Sequence, residues 1–487
     1  MPGAKLKCTN RLENDALRET AHRGADRGET AMRRWALILG TLIVLSLGSW
    51  YGVNLLWRVE RPIRVGILHS KTGPLAISEK SMIDAELMAL EEINREGGIL
   101  GRKVEWVIAD GRSDFKVFAQ EARALIETEK VCVIFGCLTG LCRRSVKAVV
   151  EPANHLLVFP SNYEGMDMPS SVVCTGPLPN QQVIPAVHWC LETLKARKFF
   201  LAGCSEDTWS IVSNAIIKDQ LKAMGASCVG ERYVPLDGTG VSELIAAIKT
   251  AVPDVVLSTV LGDANKPLFE QLSRAGLTPE KTPVLSFGVA EDELRELPVK
   301  DMIGDYAAWS YFQSIDSPVN RAFVQRYKDK YGPDRTTNDS IVAAYNGVRL
   351  WAQAVLENGT EATTEVLKVI RHQSLEAPEG VVSVDSESLH TWRPFYLGKV
   401  RRDGQFDIVW SLEKPVRPVP YPMLRTRAAW DAYVERLYAT WGTRDFNPQT
   451  ATDLSGPGSD LPGRSPPPPA APARFTSGVR SAGQRRR

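Results

Sequence analysis

From residue 61 onward, short apolar runs alternate with segments whose apolar residues recur every three or four positions. Residues 63–68 and 131–135 predict strands, and residues 76–95 predict a helix that ends at Gly97 and Gly98. The unbroken apolar character of 131–135 is typical of a parallel strand that is covered on both faces. This alternation predicts an α/β fold built from doubly wound sheets.

The alternation occurs in two successive series. The first series also predicts strands over 104–109 and 156–159 and helices over 114–129 and 141–150. After Pro179, the second series predicts strands over 198–203, 227–234, 254–259 and 284–287, and helices over 181–195, 209–223, 241–251 and 265–275. Helices near 317–330 and 338–357 and strands near 381–384, 394–398 and 406–410 complete the body. Two series predict two similar lobes rather than one large sheet.

The end of the chain departs from this alternation. A proline-rich stretch over 415–422 marks the end of the body, because proline interrupts both helices and inner strands. A C-terminal helix over 423–446 is predicted from apolar residues spaced four, three and four positions apart, starting at Trp430. Residues 455–487 contain four consecutive prolines and, after residue 460, six arginines, so we expect this tail to be disordered.

The beginning of the chain predicts a membrane anchor. Residues 1–34 form a charged segment. Residues 35–57 contain no charged side chain, and as a helix a span of this length can cross a hydrocarbon layer of about 30 Å. Arg33 and Arg34 precede this span, so we expect an uncleaved transmembrane signal-anchor with the body on the periplasmic, extracytoplasmic side. A cleavable signal peptide is the alternative, although no A-x-A-like site follows. Met32 is an alternative start to Met1.

Composition and motifs argue against several functions. The chain has 487 residues with a net charge of only +2, which disfavours nucleic-acid binding. None of its six histidines pairs at a spacing of three or four residues, so no metal site and no cofactor are predicted. Because no catalytic or phosphate-loop motif occurs, we expect the protein not to be an enzyme. Most of the eight cysteines are interpreted as small buried hydrophobic residues.

Binding fits the pattern better than catalysis. In open α/β sheets, ligands lie beyond the carboxyl ends of the strands, where loops and helix N-termini offer unpaired N–H groups. Here those positions are loops of the first lobe at 70–78, 137–140 and 160–163, and loops of the second lobe at 205–209, 262–263 and 287–288. Their equivalent placement at strand ends predicts a shared site for a small-molecule solute.

Four motifs relate the chain to a known family. The segments FPSNYEG at 159–165 and TGPLPNQQ at 175–182, with HSKTG at 69–73 and TTND at 336–339, resemble bacterial ABC-transporter solute-binding proteins for urea and short-chain amides. The resemblance extends over residues 62–421. It implies a type I periplasmic-binding fold of two lobes, joined by three crossings near 176–180, 307–312 and 378–385. The lobes would comprise 62–178 plus about 310–380, and 179–309 plus about 381–421, preceded by the transmembrane helix.

The resemblance also suggests where the solute binds. The candidate cleft residues are Ser70, Ser78, Leu138, Thr139, Gly140, Phe159, Ser161, Tyr163, Asp207, Trp209, Asp263 and Phe287. The related receptors usually have an aromatic residue and a serine where this chain has Leu138 and Gly140, and Trp209 is a candidate replacement for the lost aromatic wall. Asp207 either faces the closed cleft or points to solvent at its rim.

These departures change the expected ligand. We expect urea to bind weakly, and a larger amide, guanidino or amino compound to be a better candidate. The sequence therefore predicts a membrane-tethered protein that captures a small polar, amide-like solute for an ABC permease. The alternative is a tethered sensor or interaction protein on the same scaffold, with changed or lost ligand binding and a membrane signalling partner.

Overall fold

The computed structural model describes residues 38–46, 61–441 and 446–448. The charged segment 1–34, most of the predicted anchor 35–57 and the tail 455–487 lie outside these residues. The described part of the anchor span, residues 38–46, forms a helix, α1, with exposed side chains. Within the described ranges, no helix combines the length and apolar character that a membrane crossing requires. The body begins at Pro62 and is a separate unit from the chain before it.

The first sheet of the body has five parallel strands in the order β2-β1-β3-β4-β5. Its strands are β1 (Ile63–His69), β2 (Val104–Asp110), β3 (Ile134–Gly136), β4 (Leu157–Phe159) and β5 (Val172–Cys174). The helices between them are α2 (Ala76–Arg95), α3 (Phe115–Glu127) and α4 (Gly140–Val150). Side chains of β1 such as Val65 and Ile67 pack with α2, whereas Leu68 packs with α3 and α4. The sheet is therefore buried on both faces, as its apolar strands predict.

The second sheet has seven strands in the order β15-β14-β10-β9-β8-β6-β7. Its strands are β6 (Lys198–Cys204), β7 (Ser227–Val234), β8 (Val255–Thr259), β9 (Val284–Ser286), β10 (Tyr306–Trp309), β14 (Tyr396–Val400) and β15 (Phe406–Ser411). The helices of this part are α5 (Val183–Glu192), α6 (Thr208–Ala223), α7 (Val241–Ala251), α8 (Asn265–Arg274), α9 (Glu291–Leu294) and α10 (Val299–Met302). Strands β6 to β10 are parallel, and β14 and β15 join antiparallel at one edge. The body is thus an α/β protein with two domains.

A third, small antiparallel sheet corrects one expectation. It contains β11 (Ser374–Ala377), β12 (Gly380–Val384) and β13 (Thr391–Trp392). The strand near 381–384 was expected to join the second lobe. Instead, Val382 and Val384 lie in the core of the first lobe with β1, because their apolar side chains are covered there by α12 (Asp339–Asn358). Helices α11 (Pro318–Tyr331) and α13 (Thr363–Ile370) pack into the same core.

The chain passes between the two sheets three times, at residues 175–182, 310–317 and 393–395. The expectation of a third crossing near 378–385 is therefore wrong by about ten residues, because the small sheet comes first. The buried Arg393 lies in this last passage. Its guanidinium donates to the carbonyl of Thr175 in the first passage at 2.9 Å and to Asp339 at 2.9 Å. Asp339 in turn accepts from the N–H of Ser310 in the second passage at 2.9 Å, so Arg393 and Asp339 together link the three passages.

The C-terminal helix α14 spans Arg427–Thr440, which is shorter than the predicted 423–446. It starts late because the hydroxyl of Thr426 caps its first turn by accepting a hydrogen bond from the N–H of Ala429 at 3.2 Å. The stripe that begins at Trp430 packs on α6, where the partners include Ile211 and Ile216. The helix therefore packs on the second lobe, and Tyr438 also bonds it to Glu164 of the first.

Candidate ligand-binding cleft

A cavity of about 430 Å³ opens at the carboxyl ends of both sheets. Nine of the twelve predicted residues line it: Ser78, Leu138, Thr139, Gly140 and Ser161 from the first lobe, and Asp207, Trp209, Asp263 and Phe287 from the second. Its volume lies in the range of small-molecule sites. Loops distant in sequence meet here because parallel strands end at one edge of their sheet.

The three other predicted residues are buried beside the cavity and do not line it. The N–H of Ser70 donates to Glu79 at 2.9 Å, and its hydroxyl accepts from the N–H of Ser113. Phe159 is the last residue of β4, and its ring packs inside the first lobe. The hydroxyl of Tyr163 lies 2.5 Å from the imidazole of His390. The expectation that these three line the cleft is wrong, because each already has a partner within the protein.

The first-lobe wall contains the N-terminus of α4. Thr139 caps this helix, since its hydroxyl accepts from the N–H of Cys142 at 3.3 Å. A Cβ atom at Gly140 would overlap with the carboxylate of Glu164, which is itself buried. That carboxylate accepts a hydrogen bond from the hydroxyl of Tyr438 on α14. A side chain at position 140 would therefore require the carboxylate of Glu164 to move.

The second-lobe wall contains Asp207, the N-cap of α6. One carboxylate oxygen accepts from the N–H of Ser210 at 2.9 Å, as an N-cap requires. Asp207 is only 6% exposed and lines the cavity, so the alternative of a solvent-facing side chain at the rim is wrong. Burial, together with a smaller contribution from the charge of Glu164, raises the pKa of Asp207 to about 7.

Sequence reasoning missed several residues of the cleft. Trp309, Asn338 and Asp339 line it as well, and so does Asn162, which lies in the predicted loop 160–163 but was not singled out. Trp309 belongs to β10, a four-residue strand that the apolar pattern did not reveal. Its indole N–H donates to the carbonyl of Val289 at 2.8 Å, which holds the ring in place. Asn338 and Asp339 belong to the TTND motif, so that motif could have indicated them as cleft residues.

Comparison with known proteins assigns the body to a family. Residues 63–427 match the family model described as "Periplasmic binding protein domain". The chain belongs to the periplasmic binding protein family. The Leu/Ile/Val-binding protein homolog 7 of Brucella melitensis is 25% identical over 318 residues, which cover 60% of this chain and 76% of that relative. This match establishes the family, and it does not establish the specificity for urea and short-chain amides that the sequence suggested.

Solved structures show the same fold. A solute binding protein of an ABC transporter from Rhodopseudomonas palustris BisB5, in complex with 3,4-dihydroxy benzoic acid, has a TM-score of 0.67 at 21% identity. The similarity covers 73% of this chain and 98% of that one. LivJ of Streptococcus pneumoniae, in complex with isoleucine, has a TM-score of 0.64 at 19% identity, covering 73% and 100%. At these identities the likeness concerns the fold.

One further similarity is local. A stretch of 117 residues is 34% identical to a protein named limonene hydroxylase from Geobacillus stearothermophilus. It covers 24% of this chain, and the chain spans about a fifth (21%) of that relative's length. An activity that belongs to the whole of that relative does not transfer through such a short stretch.

Proposed function

We propose that this protein is the solute-binding component of an ABC transporter. It captures a small polar solute in the cleft between its lobes and delivers the solute to a permease. The observation that carries the proposal is a cavity of about 430 Å³ lined by residues of both lobes in a member of the periplasmic binding protein family. A cleft shared by two lobes suits solute capture, because closure of the lobes encloses the ligand.

We propose further that residues 35–57 tether the body to the membrane and that the body lies on the extracytoplasmic side. The support is the uncharged span of 23 residues and the Arg33–Arg34 pair before it. Protease treatment of cells whose outer membrane is opened and whose inner membrane is intact tests this placement. The body should be digested in these cells and protected in untreated cells. Recovery of a soluble form that begins near Ser49 would contradict the uncleaved anchor.

We expect urea to be a poor ligand. Urea has four heavy atoms, so even a ceiling of about −1.5 kcal/mol per atom limits its dissociation constant to tens of micromolar. Leu138 and Gly140 offer no side-chain hydrogen bond, and each unpaired polar group costs about 1–3 kcal/mol. Titration calorimetry on the full chain in detergent should therefore give a dissociation constant of about 1 mM or weaker. Micromolar binding would contradict the expectation.

The partner distinguishes transport from sensing. Crosslinking in the membrane, followed by purification of the full chain, should recover an ABC permease if the protein delivers solute. Recovery of a membrane signalling protein in place of a permease would favour a tethered sensor on the same scaffold. This experiment does not depend on knowing the ligand.

A further inference from the structure

We propose that the cleft selects an organic cation that carries no carboxylate group, such as a primary amine or a guanidine. The inference rests on the proposed function, because it concerns the solute that this cleft would capture. It narrows the solute class beyond what the family match provides. Three features support it: the charge of the cleft lining, the position of Glu164 and the aromatic surface beside Asp207.

The lining of the cleft is acidic. Seven of its residues carry a carboxyl group: Glu206, Asp207, Asp237, Asp263, Asp292, Glu293 and Asp339. Within the described part of the chain, no lysine, arginine or histidine lines the cavity. Two of these charges are met by arginines behind the cavity wall, since Arg393 pairs with Asp339 and the charge of Arg335 acts on Asp292. The acidic excess therefore comes chiefly from the other five. The cleft therefore attracts cations and repels anions.

Asp207 is the most buried of these carboxyl groups apart from Asp339. Across residues 61–441, no cationic side chain forms an ion pair with it, and its carboxyl group is bonded by backbone N–H groups at the start of α6, those of Ser210 and Trp209. An ionised carboxylate in this position lacks a counter-charge, and its desolvation is costly. A ligand ammonium or guanidinium would supply the missing charge and form a charge-assisted hydrogen bond. A buried polar side chain thus points into the cavity with capacity for a cationic ligand.

Glu164 makes the opposite wall unsuitable for a ligand carboxylate. The N-terminus of α4 is the type of site that binds anions, since its N–H groups and dipole favour negative charge. Here the carboxylate of Glu164 already lies against Gly140, the first residue of that helix. Its charge also reaches Asp207 across the cleft. An amino acid or a benzoate would bring a third carboxylate close to these two, at a Coulombic cost.

Aromatic side chains provide the remaining surface. Trp209, Phe287 and Trp309 line the cavity and are almost fully buried. Such rings pack against the carbon skeleton of a ligand and interact favourably with a cation near their faces. Amines and guanidines with an alkyl or aryl body match both the acidic groups and this apolar surface.

Matched pairs of compounds test the role of the carboxylate directly. Agmatine and arginine, putrescine and ornithine, and tyramine and tyrosine each differ only by that group. Calorimetry on the full chain in detergent at pH near 8 should show at least one amine binding about 10-fold or more tightly than its amino acid. We expect 4-hydroxybenzoate and isoleucine to bind more weakly than that amine. Tighter binding of any carboxylate compound would overturn the inference and leave the proposed solute capture intact.

Absence of binding by all three amines at about 10 mM, where even weak ligands saturate, would also overturn the inference. The proposed function would then be judged by the permease crosslinking experiment, which is independent of these compounds. Failure of the cation inference and failure of the transport proposal therefore give different results.

A conservative variant tests the role of Asp207. Asp207→Asn keeps an N-cap for α6, so the fold should be retained, and thermal unfolding checks this. The variant should lose about 50-fold or more in amine affinity, while a neutral amide such as acetamide should not lose affinity. The matched control is Asp114→Asn, which alters another N-cap outside the cleft, at α3. An Asp207→Asn protein that binds amines as tightly as wild type would contradict the assignment.

The pH dependence of amine binding gives a readout that a purely structural role would not produce. Asp207 has a pKa of about 7, so its ionised fraction falls about 30-fold between pH 8.5 and pH 5.5. The titratable groups that interact with it are Glu164 and the thiol of Cys204. Amine affinity should decrease as pH falls through 7, and Asp207→Asn should remove the part of this decrease that comes from Asp207. Affinity that is unchanged over this range would contradict the inference.

Discussion

Replacing Arg393 with methionine is expected to lower the free energy of unfolding of the body by about 3–5 kcal/mol. The guanidinium is fully buried and lies 2.9 Å from Asp339 and 3.2 Å from Glu379. Methionine preserves much of the side-chain volume but leaves two buried carboxyl groups without their cation. The first and third passages between the sheets would also lose the side chain that joins them.

Chemical denaturation of the full chain in detergent measures this effect. The control is Arg349→Met, because Arg349 forms an exposed ion pair with Glu96 whose loss should cost less than about 1 kcal/mol. Burial already raises the pKa values of Asp339 and Glu379, and the charge of Arg393 counteracts that rise. In the variant these groups should bind protons more readily, so its deficit should shrink as the pH falls. Equal stability of Arg393→Met and wild type would contradict the structural role.

Replacing Trp430 with alanine is expected to cost about 3–5 kcal/mol and to loosen α14. The indole is fully buried against α6, and its N–H donates to the carbonyl of Pro422 at 2.8 Å. The guanidinium of Arg425 lies 4.6 Å from the ring centroid and would lose that contact too. Because α14 carries Tyr438, which holds Glu164 at the cleft, we expect the change to reach the ligand site.

Two measurements check this prediction. Denaturation should show the loss of stability, and limited proteolysis should cleave near α14 faster than in wild type. Glu435→Ala changes an exposed side chain of the same helix and should stay within about 0.5 kcal/mol of wild type. Proteolysis of Trp430→Ala at the wild-type rate would show that α14 does not depend on this contact.

Local patterns in the sequence predicted most of the framework. The strand at 227–234 and the helix at 241–251 have the same bounds in the structure as in the prediction. This succeeded because burial on one or two faces imposes a periodicity that neighbouring residues carry. The two-residue strand β13 and the three-residue strand β5 were not predicted, since runs this short carry no periodicity.

The sequence by itself determined the α/β class, the serial pair of lobes and the strand ends where a cleft would form. Only the tertiary structure decided which side chains enter that cleft. Ser70, Phe159 and Tyr163 have polar or aromatic character that suits a binding site, yet contacts inside the first lobe occupy them. Periodicity reports whether a residue is buried, but not which distant residue buries it.

The charge of the site also depends on the tertiary structure more than on the local sequence. Asp207 was a candidate from sequence alone, but its burial and the approach of Glu164 depend on segments that lie more than forty residues apart. A Cβ atom at position 140 would overlap with the carboxylate of Glu164, and Tyr438 reaches that carboxylate from a helix 274 residues further along. Coulombic and steric effects act through space, so no local pattern predicts them. The ligand preference of this cleft is therefore a property of the folded chain.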